Sequence, residues 1–129
     1  MKTILIVDRD LGFVLWLGHI LNRSGSVALP ATTIAEAAEM VALLGLRVDV
    51  LITAPGEAGV REFVEDLRLA SPDLQLVGVG SAEDPSRDIP FPEAVWRRRP
   101  RGGDEATGRE WVTAIRKLEG SQLSQAFHN

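Results

Sequence analysis

Short, largely apolar runs alternate along this chain with stretches whose apolar residues recur three and four positions apart. The runs lie at Thr3–Val7 and at residues 27–29, 48–53, 74–79 and 94–96. They carry no polar alternation, which suits strands covered on both faces rather than strands with one wet side. The intervening stretches read as amphipathic helices. Val14, Leu17 and Leu21 share one face after Asp10, a residue type that caps helix starts. Thr33 and Glu36 have capping-box spacing and open an Ala-rich helix to Leu44, with Gly45 where a left-handed cap belongs. Val60, Phe63, Val64 and Leu67 mark a third helix, and Trp111, Val112, Ile115 and Leu118 a last one. Five strands alternating with helices predict an α/β fold, a parallel sheet with helices on both faces.

Breakers refine the picture. Pro30 is expected to close the second strand and Ser71-Pro72 the third helix. Between the fourth and fifth strands, Pro90 and Pro92 leave room for a turn or two of helix at most. Residues 97–103, rich in Arg, Pro and Gly, read as a loop. Residues 1–119 form one domain in this reading, and 120–129 a frayed tail or linker stub.

The stretch Asp49-Val50-Leu51-Ile52-Thr53 is the central strand, stopped by Pro55-Gly56. Ligands of open parallel sheets bind beyond the carboxyl ends of the strands. Thr53, Ala54 and the following turn therefore stand where chemistry would occur, and a methyl group occupies that place.

Composition narrows the function classes. The chain has 129 residues and no cysteine, which excludes disulfides, thiolate metal sites and a cysteine nucleophile. Its net charge of −4 argues against general nucleic-acid binding. No apolar run reaches membrane-span length, and the opening segment reads as a strand rather than a signal peptide. A cytoplasmic protein is the expectation.

Taken in order, Ile4-Leu5-Ile6-Val7-Asp8, Ala35-Glu36-Ala37, Asp49–Thr53, Pro55-Gly56-Glu57-Ala58-Gly59, Ser81-Ala82 and Arg99-Pro100 resemble the receiver domain of two-component response regulators, CheY-like proteins. That resemblance implies a flavodoxin-like, doubly wound five-stranded parallel sheet in the order 2-1-3-4-5, here with the helix before the fifth strand short or lost. It also implies phosphorylation of an aspartate after the third strand, assisted by magnesium on two acids after the first strand. A hydroxyl after the fourth strand and a lysine after the fifth would bind the phosphoryl oxygens.

Carried over by position, Asp8 matches the first acid, Arg9 replaces the second, and Ala54 falls on the phosphoacceptor. Ser81 matches the hydroxyl, Arg99 falls on the lysine, and Trp96 on the aromatic switch position. Aligning the Pro-Gly turn without a gap would put Leu51 at the acceptor instead. Neither alignment supplies a carboxylate, and alanine carries no nucleophile. The expected site is degenerate, with no metal, no cofactor and no catalytic residue.

Other readings stay open at this point. Asp10 is a helix cap or a residual site acid. Glu57 is expected to be solvated, and His19 and His128 to be structural or exposed. Ser81 binds an anion or starts a turn. Arg97, Arg98, Arg99 and Arg101 are a docking patch for an anionic partner or a solvated loop. Phe91 is an exposed anchor or a core plug. The main expectation is a phosphorylation-independent signalling module that binds a protein partner, a homodimer included. One alternative is switching by a non-covalently bound anion or small ligand near Ser81 and Arg99. Another, a small nucleotide binder or enzyme, lacks the glycine-rich loop after the first strand.

Overall fold

Strands β1 (Thr3–Val7), β2 (Val27–Ala31), β3 (Val50–Thr53), β4 (Gln75–Gly80) and β5 (Val95–Arg98) pair in parallel in the expected order β2-β1-β3-β4-β5. A computed structural model describes residues 2–54, 56–80, 95–98, 100 and 103–128, the side chains of Trp96 and 119–128 excepted. The helices are α1 (Leu11–Arg23), α2 (Ile34–Leu44), α3 (Val60–Ala70) and α4 (Glu105–His128). The stretch where a shortened helix was expected before β5, with Pro85, Pro90, Phe91 and Pro92, lies outside the described residues.

Successive strand residues face opposite sides of the sheet, so the runs of β1, β3 and β4 each feed two cores. Ile4, Ile6, Val50, Ile52, Val77 and Val79 pack with Val14 and Leu17 of α1 and Trp111 and Ile115 of α4. On the other face, Leu5, Val7, Leu51 and Leu76 meet Ile34 and Ala37 of α2 and Phe63, Val64 and Leu67 of α3. This is why the strands lack polar alternation: both faces are dry. Trp111 is 1% exposed, and its ring stands 5.8 Å from that of Phe13, tilted at 59°.

The helix starts form as the sequence predicts. Asp10 caps α1 by accepting from the Phe13 N–H at 3.1 Å. Thr33 Oγ1 accepts from the Glu36 N–H at 3.1 Å. Glu36 reaches back one residue further than the box requires, to the Thr32 N–H at 3.1 Å. Gly45 closes α2 with φ 61°, a left-handed conformation that glycine adopts without steric cost.

Besides a one-residue shift of β4, from 74–79 to Gln75–Gly80, four boundaries depart from expectation. β2 runs through Pro30 to Ala31, with Pro30 beside Ile6. The strand is at the sheet edge, where a missing N–H can face away from the ladder. The central strand begins at Val50 rather than Val48. The backbone of Asp49 still joins the sheet, donating to Thr3 O at 2.8 Å and accepting from Gln75 N at 3.0 Å.

β5 takes in Arg97 and Arg98, expected in a loop. It is the other edge strand, and charged side chains are common on edges, where they block pairing with a further strand. Arg97 is half-buried, its guanidinium 5.1 Å from the Trp111 ring centroid. It therefore packs against a core residue. Finally, α4 continues past Gly120 to His128, where a tail was expected. One interior glycine costs a helix only about 1 kcal/mol, and the flanking Gln, Leu and Ala residues are good helix formers.

Candidate functional site

The carboxyl ends of β1 and β3 lie side by side, with Val7 opposite Thr53 in the sheet. Asp8 follows β1 and is only 2% exposed. Its Oδ1 accepts from the Asp10 N–H at 2.9 Å, and its own N–H donates to the Ala31 carbonyl at 3.1 Å. Asp8 thus shapes the turn into α1, and Asp10 is the cap of that helix. Among the two readings open for Asp10, the cap is the one realised.

Arg9, between these two acids, departs from both. Its Nε stands 3.1 Å from Glu57 Oε1. The Arg9 side chain is 78% exposed and that of Glu57 only 9%, so Glu57 is not the solvated residue the sequence suggests. The cause is the turn after β3. The Glu57 N–H donates to the Ala54 carbonyl at 3.2 Å, and the Val60 N–H donates to the Glu57 carbonyl at 3.3 Å. Gly59 then enters α3 at φ 82°. A turn tied this closely to the strand end carries the carboxylate to Arg9, two residues after β1.

Ala54 is half-buried. Thr53 is buried at 7% exposure, and its Oγ1 donates to the Ala54 carbonyl at 3.3 Å. The hydroxyl nearest the site is therefore turned to backbone, as its strand position predicts. Of the remaining candidate residues, Ser81, Phe91, Arg99 and Arg101 lie outside the described residues. Trp96 is described by its backbone alone, opposite Gly78. Arg98 is exposed at the end of β5, opposite Gly80. His19 is exposed on α1.

These strand ends are a poor match for a divalent cation. Magnesium demands a near-octahedral shell of hard oxygens. Here one Asp8 oxygen holds a turn N–H and the Glu57 carboxylate already faces a guanidinium. Among the described residues, no three His, Asp or Glu side chains converge as a metal site.

One ionisable group away from the site is shifted. Asp104, before α4, accepts from the Thr107 N–H at 2.7 Å, and this hydrogen bond holds its carboxyl below the usual 3.8. Sequence reasoning also missed a groove of about 640 Å³ between α1 and α4, lined by Trp16, Ile20 and Val112 among others. Trp16 and Ile20 add to the apolar side of α1, but nothing in their spacing marks them as lining a groove.

No protein-family model matches the chain, and no curated protein matches it. Solved structures do. A response regulator receiver domain protein from Clostridium thermocellum superposes with a TM-score of 0.70 at 15% identity, covering 97% of this chain and 99% of that one. The chemotaxis response regulator CheY4 of Vibrio cholerae gives 0.69 at 18% identity, covering 92% and 98%. The response regulator TrrA of Thermotoga maritima, in complex with Mg²⁺-BeF, gives 0.66 at 20%, covering 92% and 99%. With five parallel strands in the order 2-1-3-4-5 and helices on both faces, this chain has the CheY-like fold of response regulator receiver domains.

Proposed function

We propose that this chain is a signalling module of receiver type that works without phosphorylation and without a bound metal ion, by contact with a protein partner. The observation that carries the reading is the Arg9–Glu57 ion pair beside Ala54. In the family the chain resembles, a divalent cation joins the acids after the first strand to the phosphoacceptor after the third. Here a guanidinium from the first loop joins a carboxylate from the second. The positive charge is supplied covalently by the chain. Arg9 also puts a positive charge where the family has an acid; its side chain is largely exposed, so solvent screens the repulsion of a magnesium ion a few ångströms away to about 2 kcal/mol or less. Ala54 adds the second argument: a methyl group forms no acyl phosphate.

The reading assigns no catalytic residue, and the strand ends serve as a fixed platform. Among the described residues, no helix is long and apolar enough to cross a membrane. Binding of a second copy of the chain is one form that the protein contact can take.

TrrA in the comparison holds Mg²⁺-BeF. The same reagent, beryllofluoride with magnesium, tests the reading here. Thermal unfolding of this chain should be unchanged by it. A saturable rise in melting temperature that needs both magnesium and beryllofluoride would contradict the proposal. A rise with inorganic phosphate alone would favour the anion-switched alternative at Ser81 and Arg99.

A further inference from the structure

Helix α3 presents four exposed residues on one line. Glu62, Glu65, Asp66 and Leu69 follow the i, i+3, i+4, i+7 spacing of a single helix face, and all are exposed, Leu69 at 84%. Val60, Phe63, Val64 and Leu67 hold the opposite face in the core. The stripe is therefore acidic and ends in an uncovered leucine. An exposed leucine alone is ordinary. Its alignment with three carboxylates gives the face a specific chemistry.

Across the sheet, the groove between α1 and α4 has the complementary chemistry. Trp16, Ile20 and Val112 supply apolar surface, and Arg23, Arg109 and Arg116 outnumber Asp104 and Glu105 in the lining, which leaves the groove net positive. Arg109 lies 3.9 Å from Glu105, a long contact between two exposed side chains that leaves it available. Arg23 and Arg116 have no ion-pair partner among the described residues. The fit extends to length. From Glu105 to Arg116 the groove follows α4 for roughly 16 Å, which leaves room for the stripe from Glu62 to Leu69 at roughly 10 Å, taking 1.5 Å per residue.

We infer that the α1–α4 groove binds the α3 stripe of a second copy of this chain. The two faces lie on opposite sides of one sheet, so each copy offers both. The contact is heterologous, and copies would stack head to tail rather than close as a symmetric pair. Carboxylates of Glu62, Glu65 and Asp66 face Arg23, Arg109 and Arg116, and Leu69 covers part of the apolar floor. A single helix face in a groove buries less than about 1,200 Å², the size class of weak, transient contacts. The dissociation constant expected is on the order of 100 µM. The inference is independent of the state of the strand ends.

Sedimentation equilibrium on the full chain tests it with two variants. Arg23→Glu with Arg116→Glu reverses the groove, and Glu62→Lys with Glu65→Lys and Asp66→Lys reverses the stripe. All five side chains are exposed, and circular dichroism verifies that both variants fold; Arg23→Gln with Arg116→Gln replaces the first if it does not. The wild type should gain mass with concentration, and lose that gain at about 1 M salt, where the screening length falls to roughly 3 Å. Each variant alone should stay monomeric. Mixed, the intact stripe of one should enter the intact groove of the other, and the reversed stripe then faces a reversed groove of opposite charge, so mass gain with concentration should return. A wild type monomeric to about 1 mM, association that survives in either variant, or a mixture that stays monomeric would each overturn the inference.

Discussion

Arg9 Nε and Glu57 Oε1 stand 3.1 Å apart, joining the second residue after β1 to the turn after β3. The pair bridges two loops at the sheet end where receiver chemistry would take place. Because Arg9 is mostly exposed, solvent screens the attraction, and the coupling belongs with surface pairs at about 0.2–1 kcal/mol. A double-mutant cycle with Arg9→Ala and Glu57→Ala, followed by urea denaturation, should return a value in that range that shrinks in high salt. A coupling of zero at low salt would mean that the contact does not hold the loops.

Rebuilding the site gives a second expectation. Arg9→Asp together with Ala54→Asp removes the guanidinium and adds two carboxylates near Asp8. The double variant should bind magnesium, seen as a melting temperature that rises with magnesium concentration through ligand linkage. The wild type should show no such rise. Equal responses from the two proteins would remove Arg9 and Ala54 as the reason for metal exclusion.

Gly18 sits buried within α1, where glycine costs a helix about 1 kcal/mol relative to alanine. A methyl group there would stand 3.9 Å from Ile6 Cδ1, an ordinary packing distance. Gly18→Ala should therefore stabilise the fold by about 1 kcal/mol, or roughly 3 °C in thermal unfolding. Destabilisation would show that α1 needs a closer approach to the sheet than this spacing indicates.

Asp104 ties stability to pH. The hydrogen bond from the Thr107 N–H lowers its carboxyl below 3.8, so the folded state binds the proton more weakly than the unfolded state does. Its contribution is complete above the unfolded value and fades as pH falls through the lower folded value. In urea melts, the stability difference between wild type and Asp104→Ala should be present at neutral pH and diminish below pH 3.8. A difference that persists unchanged into strong acid would separate the cap from its charge.

Much of the architecture was legible because it depends on local signals. Asp10, the Thr33–Glu36 spacing and Gly45 each act within one turn of helix, and the sequence shows them directly. The apolar runs specified five strands, of which β5 is partly exposed. What escaped depends on position in the finished sheet. Pro30 and Arg97 enter strands because β2 and β5 are edges, a fact that exists only once the order is set. At the site, the methyl group of Ala54 at the end of the central strand was readable from the sequence. The partner of Arg9 was not, since Glu57 lies far along the chain and is delivered by a turn. The α1–α4 groove escaped for the same reason, being made by two helices from opposite ends of the sequence.

Intact-mass spectrometry after incubation with acetyl phosphate and magnesium tests the central claim most directly. The account predicts a single species at the unmodified mass. A second species heavier by one phosphoryl group, abolished by replacing one aspartate such as Asp8→Asn, would contradict it.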